Sequence, residues 1–425
     1  MNAIKTYGNI IKNSMNKPQK SLKLIKLGLN LENFRLSVFP DKSLPPSLQY
    51  LNKICIKYIL EPLIHPNSSA LVNLFALAEI LHAMDIYPLF IEAFSSFLSG
   101  FNCEDYFIDY ASNCGLSETL CSYHKTFLGA IDSNLIPKPK FAVTTSMICD
   151  ANINTFNYIS DKYNIPLYIL DIPYEYSNDA KKYVSNQLKE MVSMIEDSTN
   201  KKLDEDKLKS VLKIENESIN YNKKFFKSLS KKYFPNTLTF EMYKVFLSHV
   251  AMGRIETYNF YKMQYSDIER FPESKGKRFL WIHLLPFYHE SLKEYFNLNE
   301  NNQLLACDLN FNHMEELDFN SPYDSLARKL ILNQYNGSFK NKIKNIVTMS
   351  KNLNADAIIN FCHWGCKQSS GGTMLLKEAL VKNNIPFLSI DGDGIDRRNM
   401  GNGQIKTRLE AFLEIVESLD RKKVI

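Results

Sequence analysis

The 425 residues contain no run of 18 apolar side chains, so no helix that crosses a membrane is expected. The opening stretch, MNAIKTYGNIIKNSMNKPQK, lacks the apolar centre of a secretion signal, which points to the cytoplasm. Charge of one sign is also scarce: 51 basic against 46 acidic residues leave a net +5, spread along the chain. That balance argues against a dedicated nucleic-acid surface. The eight cysteines form no CxxC and no ferredoxin spacing, so a metal cluster would have to be assembled from distant segments. Short-spaced zinc knuckles are missing as well. There is no Gly-x-x-x-x-Gly-Lys-Ser/Thr loop, so the chain brings no phosphate-cradling loop for ATP of its own.

A length of 425 residues exceeds what one hydrophobic core usually serves. Residues 1–66 read as a helical extension, 67–235 as a first α/β lobe with connecting helices, and 236–425 as a second α/β lobe. In a reducing compartment, cysteines are more often buried, catalytic or metal-bound than paired. Here they are Cys55, Cys103, Cys114, Cys121, Cys149, Cys307, Cys362 and Cys366.

Residues 69–98 read as amphipathic helix and buried strand, followed by loop segments carrying Cys103, Cys114 and Cys121. Lys140–Met147 is apolar, β-rich and flanked by prolines, as a buried parallel strand should be. Cys149 and Asp150 follow its carboxyl end, then a helical stretch, then Asn164-Ile165-Pro166 and the strand LYIL ending at Asp171. Residues 178–232 have helical periodicity with no glycine or proline and predict two or three long helices. Further strands are expected at 278–285, at 303–308 with Cys307 near its end, and at 355–361 just before Cys362. A helix, Asn384-Ile385-Pro386 and the strand FLSI ending at Asp391 complete the chain's second unit.

The order strand, cysteine, helix, Asn-Ile-Pro, strand, aspartate thus occurs twice. It predicts two Rossmann-like lobes with parallel sheets. Ligands of such sheets sit beyond the carboxyl ends of the strands, where Cys149, Cys307, Cys362 and Cys366 fall.

The densest chemistry lies in FCHWGCKQSSGG, residues 361–372. Two cysteines at a strand-to-helix turn would have their thiolates stabilised by the helix N-terminus. Gly365 would let the backbone approach inorganic sulfide closely. His363 is a candidate catalytic acid/base or hydrogen-bond donor, and Trp364 could shield a cluster from water. A plain buried turn, a zinc site, or a nucleophilic cysteine paired with His363 or His283 remain open on these residues alone. Arg397 and Arg398, in the glycine-rich loop after Asp391, could hold an anionic group. Asp171 and Asp391 fit turn capping.

The segment CSYHKTFLGAIDSNLIPKPKFAVTTSMICD, with NIPLYILDIPY, YDSLARKLI and GQIKTRLEAFLE, resembles the 2-hydroxyglutaryl-CoA dehydratase D-component and benzoyl-CoA reductase superfamily over roughly residues 70–420. FCHWGCKQSSGG with IDGDGID looks like its double-cubane-cluster branch. The resemblance implies an anaerobic iron–sulfur enzyme. Ordinary dehydratase subunits hold a 4Fe–4S cluster on three cysteines, whereas a double cubane (8Fe–9S) needs six. Carried over residue by residue, the ligands would be Cys121, Cys149, Cys362 and Cys366, with Cys114 and Cys307 bringing the set to six. Cys55 and Cys103 would be left out. The resemblance further implies a homodimer served by a separate ATPase activator, itself carrying a 4Fe–4S cluster, that delivers low-potential electrons. The substrate would be a small molecule or, in the dehydratases, a 2-hydroxyacyl-CoA that loses water. A non-catalytic iron–sulfur scaffold and a metal-free α/β binding protein are the rival expectations.

Overall fold

Eight short strands, most of them largely buried, alternate with helices in the computed structural model, which describes residues 3–421. The first sheet contains β1 (Ser69–Val72), β2 (Tyr87–Phe90), β3 (Phe141–Thr145) and β4 (Leu167–Leu170), in the order β2-β1-β3-β4. The second contains β5 (Lys277–His283), β6 (Asn302–Cys307), β7 (Ala357–His363) and β8 (Phe387–Gly392), in the order β6-β5-β7-β8. Every pairing is parallel, and the two orders are the same when read from the first strand of each sheet. These are the two Rossmann-like lobes that the repeated pattern predicts. Parallel strands with helices on both faces need continuous apolar runs, which is why FAVTT and the centre of KRFLWIH are buried on both sides.

The Asn-Ile-Pro repeat has a local cause. Asn164 and Asn384 both adopt positive φ, +46° and +57°, where each ends a helix and turns the chain into the next strand. Asparagine tolerates that conformation better than any other residue with a side chain of similar size. Proline then starts an extended segment.

Residues 1–66 contain the helices Ala3–Asn13, Pro18–Val38 and Pro46–Ile64. Two long helices, Asn178–Thr199 and Glu205–Leu229, fill the stretch read as two or three. Two local expectations need correction. The segment between Cys103 and Cys121 is not all loop: Glu104–Asn113 is a helix that buries Phe107, Ile108 and Ala111, with Cys103 and Cys114 at its ends. Two acidic residues in its first turn favour that start. Cys362 does not follow its strand but lies within β7, paired in register with Asp391.

A buried ionic cluster ties the halves together. Lys329, on the helix Pro322–Ile331, contacts Glu215 at 2.6 Å and also Glu79, on the short helix Ala78–Ala83 of the first lobe. Burial raises the Glu215 carboxyl to about 8, while the lysine holds Glu79 below its usual range. The trio therefore carries one carboxylate, one protonated carboxyl and one ammonium, close to neutral overall. Removing the ammonium leaves buried acids uncompensated. Lys329→Met is expected to cost about 3–5 kcal/mol of stability, measured by chemical denaturation.

Candidate active site

Parallel sheets place ligands where the strand order reverses, between the first and third strand of each lobe. The two reversal points face each other. A cavity of about 110 Å³, far more than the ~10–15 Å³ that one water needs, opens between them. Its wall takes Leu74 and Phe75 from after β1, Ile148 and Cys149 from after β3, His283 and Leu284 from the end of β5, and His363 and Cys366 from the end of β7. Cys121, Glu92 and Tyr335 complete the polar part, and Met242, Val245, Phe246 and Leu309 give an apolar side.

Three of the six candidate thiols line this cavity: Cys121, Cys149 and Cys366. They sit close enough that the Cys366 charge acts on both Cys121 and Cys149. Each is the residue immediately before a helix: Cys121 before Ser122–Asp132, Cys149 before Asp150–Tyr163, and Cys366 before the single turn Lys367–Ser370. Burial pushes the Cys121 and Cys149 thiols up, and backbone N–H groups of Tyr123 and of Ala151 and Asn152 work in the opposite direction. These sulfurs become stable anions only beside a compensating positive charge.

The backbone is strained around each thiol. Ile148, a β-branched residue, has φ +73° directly before Cys149. His283, with φ +69°, faces Cys366. Gly365, with φ +80°, lies against Cys121: an added Cβ would stand 2.7 Å from the Cys121 nitrogen and 2.9 Å from the Thr119 carbonyl. Strain of this kind persists only where the surroundings enforce it. Gly365→Ala is expected to cost about 1–3 kcal/mol and to push Cys121 out of place, read as a lower melting temperature.

The remaining candidate thiols point elsewhere. Side chains alternate along a strand, so with His363 in the cavity wall its neighbour Cys362 must face the other way. Its sulfur lies 3.2 Å from both the Thr373 and Ser389 hydroxyls and borders a second, polar cleft of about 1100 Å³ that His363 also lines. The Cys307 Sγ–H donates to the His283 carbonyl at 2.9 Å, behind the cavity wall. Cys114 is exposed at a helix end. Cys55 and Cys103 are buried and line no part of this cavity. Trp364 is 52% exposed and borders the polar cleft, so it shields nothing in the thiol cavity.

His363 is buried, and Cys121 Sγ stands 3.1 Å from its Nε2. The Gly394 N–H donates to its Nδ1 at 2.9 Å. Burial lowers its pKa. The arginines of the glycine-rich loop are consumed by carboxylates and do not form an anion site. Arg397 pairs with Glu104 at 2.7 Å, and Arg398 with Asp109 at 2.7 Å and Asp396 at 2.8 Å. These pairs, with Ser122 donating to Asp393 at 2.5 Å, fasten the loop of the second lobe to the first. Asp171 accepts from Ser146 and Tyr183, and Asp391 pairs with Arg408, as turn and edge residues do.

Residue-level reading missed Glu92. One of its carboxyl oxygens, Oε2, is buried without a partner, and burial raises its pKa to about 7. The available signal was a single carboxylate inside the apolar run PLFIEAFSSFL. Tyr335 was also missed; it donates to Asp308 at 2.7 Å.

Among the described residues, no three His, Cys, Asp or Glu groups converge tightly enough for a single metal ion. A cubane makes a different demand, because each thiolate takes its own iron. Three inward thiols at helix starts and an apolar wall fit such an anionic cluster. No helix among the described residues is long and apolar enough to cross a membrane.

The (R)-phenyllactyl-CoA dehydratase alpha subunit of Clostridium sporogenes is 27% identical over 335 residues, covering 72% of this chain and 79% of that subunit. The alpha subunit of (R)-2-hydroxyglutaryl-CoA dehydratase from Acidaminococcus fermentans is 24% identical over 68% of the chain and 62% of the subunit. One of the benzoyl-CoA reductase subunits of Thauera aromatica is 22% identical over 72% of the chain and 79% of its own length. The model of the 2-hydroxyglutaryl-CoA dehydratase D-component family matches residues 73–416, so the chain belongs to that family and is a component of a dehydratase or reductase enzyme.

Proposed function

We propose that this chain is the cluster-bearing subunit of an enzyme that removes water from a 2-hydroxyacyl-CoA, with one 4Fe–4S cluster held by Cys121, Cys149 and Cys366. The observation that carries this reading is the convergence of those three thiols, and of no others among the described residues, on the cavity between the two strand-order reversal points. It favours a single cubane over the six-thiol double cubane. Cys362 faces hydroxyls across β7, Cys307 is committed to the His283 carbonyl, and Cys114 stands at the surface.

Held by Cys121, Cys149 and Cys366, such a cluster would pass low-potential electrons to the substrate. The chain's own residues do the rest. Leu74, Phe75, Met242, Val245 and Phe246 exclude water and accept an apolar acyl side chain. Glu92, whose carboxyl burial pushes up to about 7, would give a proton to a departing hydroxyl. His363 and Tyr335 belong to the wall and hold neighbouring groups in place. The low-potential electrons would come from a partner ATPase with its own 4Fe–4S cluster, in keeping with the missing phosphate loop. The functional unit would be a dimer, either of this chain or with a related chain.

The test is iron and acid-labile sulfide analysis of anaerobically purified protein, with a visible spectrum. About four irons per chain is the expected result. About eight would restore the double cubane, and colourless, iron-free protein would end the proposal.

A further inference from the structure

Of the three histidines in the cavity wall, His124 contacts the Thr155 hydroxyl through Nδ1, whereas His363 and His283 each have Nε2 against a different cysteine sulfur. His363 Nε2 lies 3.1 Å from Cys121 Sγ, and His283 Nε2 lies 3.3 Å from Cys366 Sγ. The proton on His363 can be assigned. Gly394 N–H donates to Nδ1, so Nδ1 carries a lone pair, and a neutral ring then bears its one proton on Nε2. Toward a thiolate, His283 can likewise interact favourably only as an Nε2–H donor.

Both rings are held by more than packing. His363 lies edge-on to the Tyr123 ring, with centroids 5.4 Å apart, and its Nδ1 accepts the Gly394 N–H. His283 is fixed through its backbone: its N–H donates to Asp308 at 2.7 Å and its carbonyl accepts from Cys307 at 2.9 Å. Asp308 is in turn gripped by the Tyr335 hydroxyl. This bracing accounts for the buried Cys307 thiol and for the positive φ of His283, which otherwise have no role. Cys149, by contrast, takes its hydrogen bonds from the backbone N–H groups of Ala151 and Asn152.

We infer that His363 and His283 are positioning residues that donate N–H···S hydrogen bonds to Cys121 and Cys366 and thereby raise the reduction potential of the cluster proposed above. The reasoning is electrostatic. Hydrogen bonds to cluster sulfurs stabilise the more negative, reduced state more than the oxidised one. The inference rests on the cluster reading, and its test separates the two.

The experiment uses the full chain, purified anaerobically, as wild type, His363→Phe, His283→Phe, the double variant, His363→Gln and His283→Gln. Iron content and the midpoint potential from an EPR-monitored redox titration are measured for each. Each phenylalanine variant should keep its iron and shift the midpoint to a more negative value. The double variant should add the two shifts, because they act on different sulfurs. The glutamine variants, which retain a side-chain N–H, should recover part of the shift. Iron-bearing phenylalanine variants with the wild-type midpoint overturn the inference while leaving the cluster intact. Loss of iron in the phenylalanine variants with retention in the glutamine variants supports it, because the N–H is what the two sets differ by. Loss of iron in both sets overturns it, since the imidazole then acts as a ligand or a wedge. Wild-type protein without iron removes the cluster reading itself, and the inference with it.

Discussion

Replacing Cys121, Cys149 or Cys366 singly with serine is expected to remove most of the bound iron and to abolish turnover, whereas Cys362→Ser, Cys114→Ser and Cys55→Ser keep both. The first three thiols share one cavity and act on one another's charge. Losing one leaves an iron without its thiolate and an anionic cluster less firmly held in an apolar wall. Cys307→Ser stands between the groups. Serine still reaches for the His283 carbonyl, so iron should remain, while Cys307→Ala should loosen His283. Iron and sulfide per chain, measured beside the visible spectrum, check every one of these variants. Full iron in the Cys149 variant would contradict the three-thiol assignment, and loss of iron in the Cys362 variant would reopen the larger cluster.

The second large effect falls on Glu92. Glu92→Gln removes an ionisable carboxyl but preserves shape and leaves all three thiols in place. Iron content should therefore be unchanged, while kcat falls by about 10²–10⁴-fold, the usual contribution of a positioned proton donor. The pH profile supplies a second readout. With a pKa near 7 in the folded chain, the wild type should lose activity as pH rises through neutrality and the donor form disappears. The glutamine variant should not show that limb. The stability sign is opposite to that of an ordinary paired carboxylate. A raised folded-state value means that the folded protein binds the extra proton, so stability is greatest below the unfolded value of about 4.3 and declines as pH rises toward 7. Denaturation midpoints at pH 5 and pH 8 should differ less in Glu92→Gln than in the wild type. Equal activities at pH 7 would exclude the carboxyl from proton transfer.

Much of this protein was legible from local pattern. Apolar runs such as FAVTT and ADAIINF announce buried parallel strands because both faces must be covered. Asn-Ile-Pro marks the same turn in both lobes because asparagine accepts positive φ and proline ends helix. Cysteines placed just after strands and just before helices mark sites where N–H groups converge. Those are short-range effects, and the residues that cause them are neighbours in the chain.

The selection among the thiols was decided only in three dimensions. Cys362 and Cys366 share one motif, yet strand alternation turns the first away, and the turn through Gly365 brings the second back toward Cys121. Arg397 and Arg398 look free in sequence, but their carboxylate partners Glu104 and Asp109 lie in the other lobe, far away along the chain. Glu92 and His283 acquire their chemistry from burial, which depends on how the lobes close upon each other. The sequence determined by itself that there would be two similar lobes with thiols at their strand ends, because backbone preference and hydrophobic period act locally. Which thiols meet, and which acid and imidazoles they meet, was decided by tertiary structure, because direction and desolvation are properties of the assembled cavity.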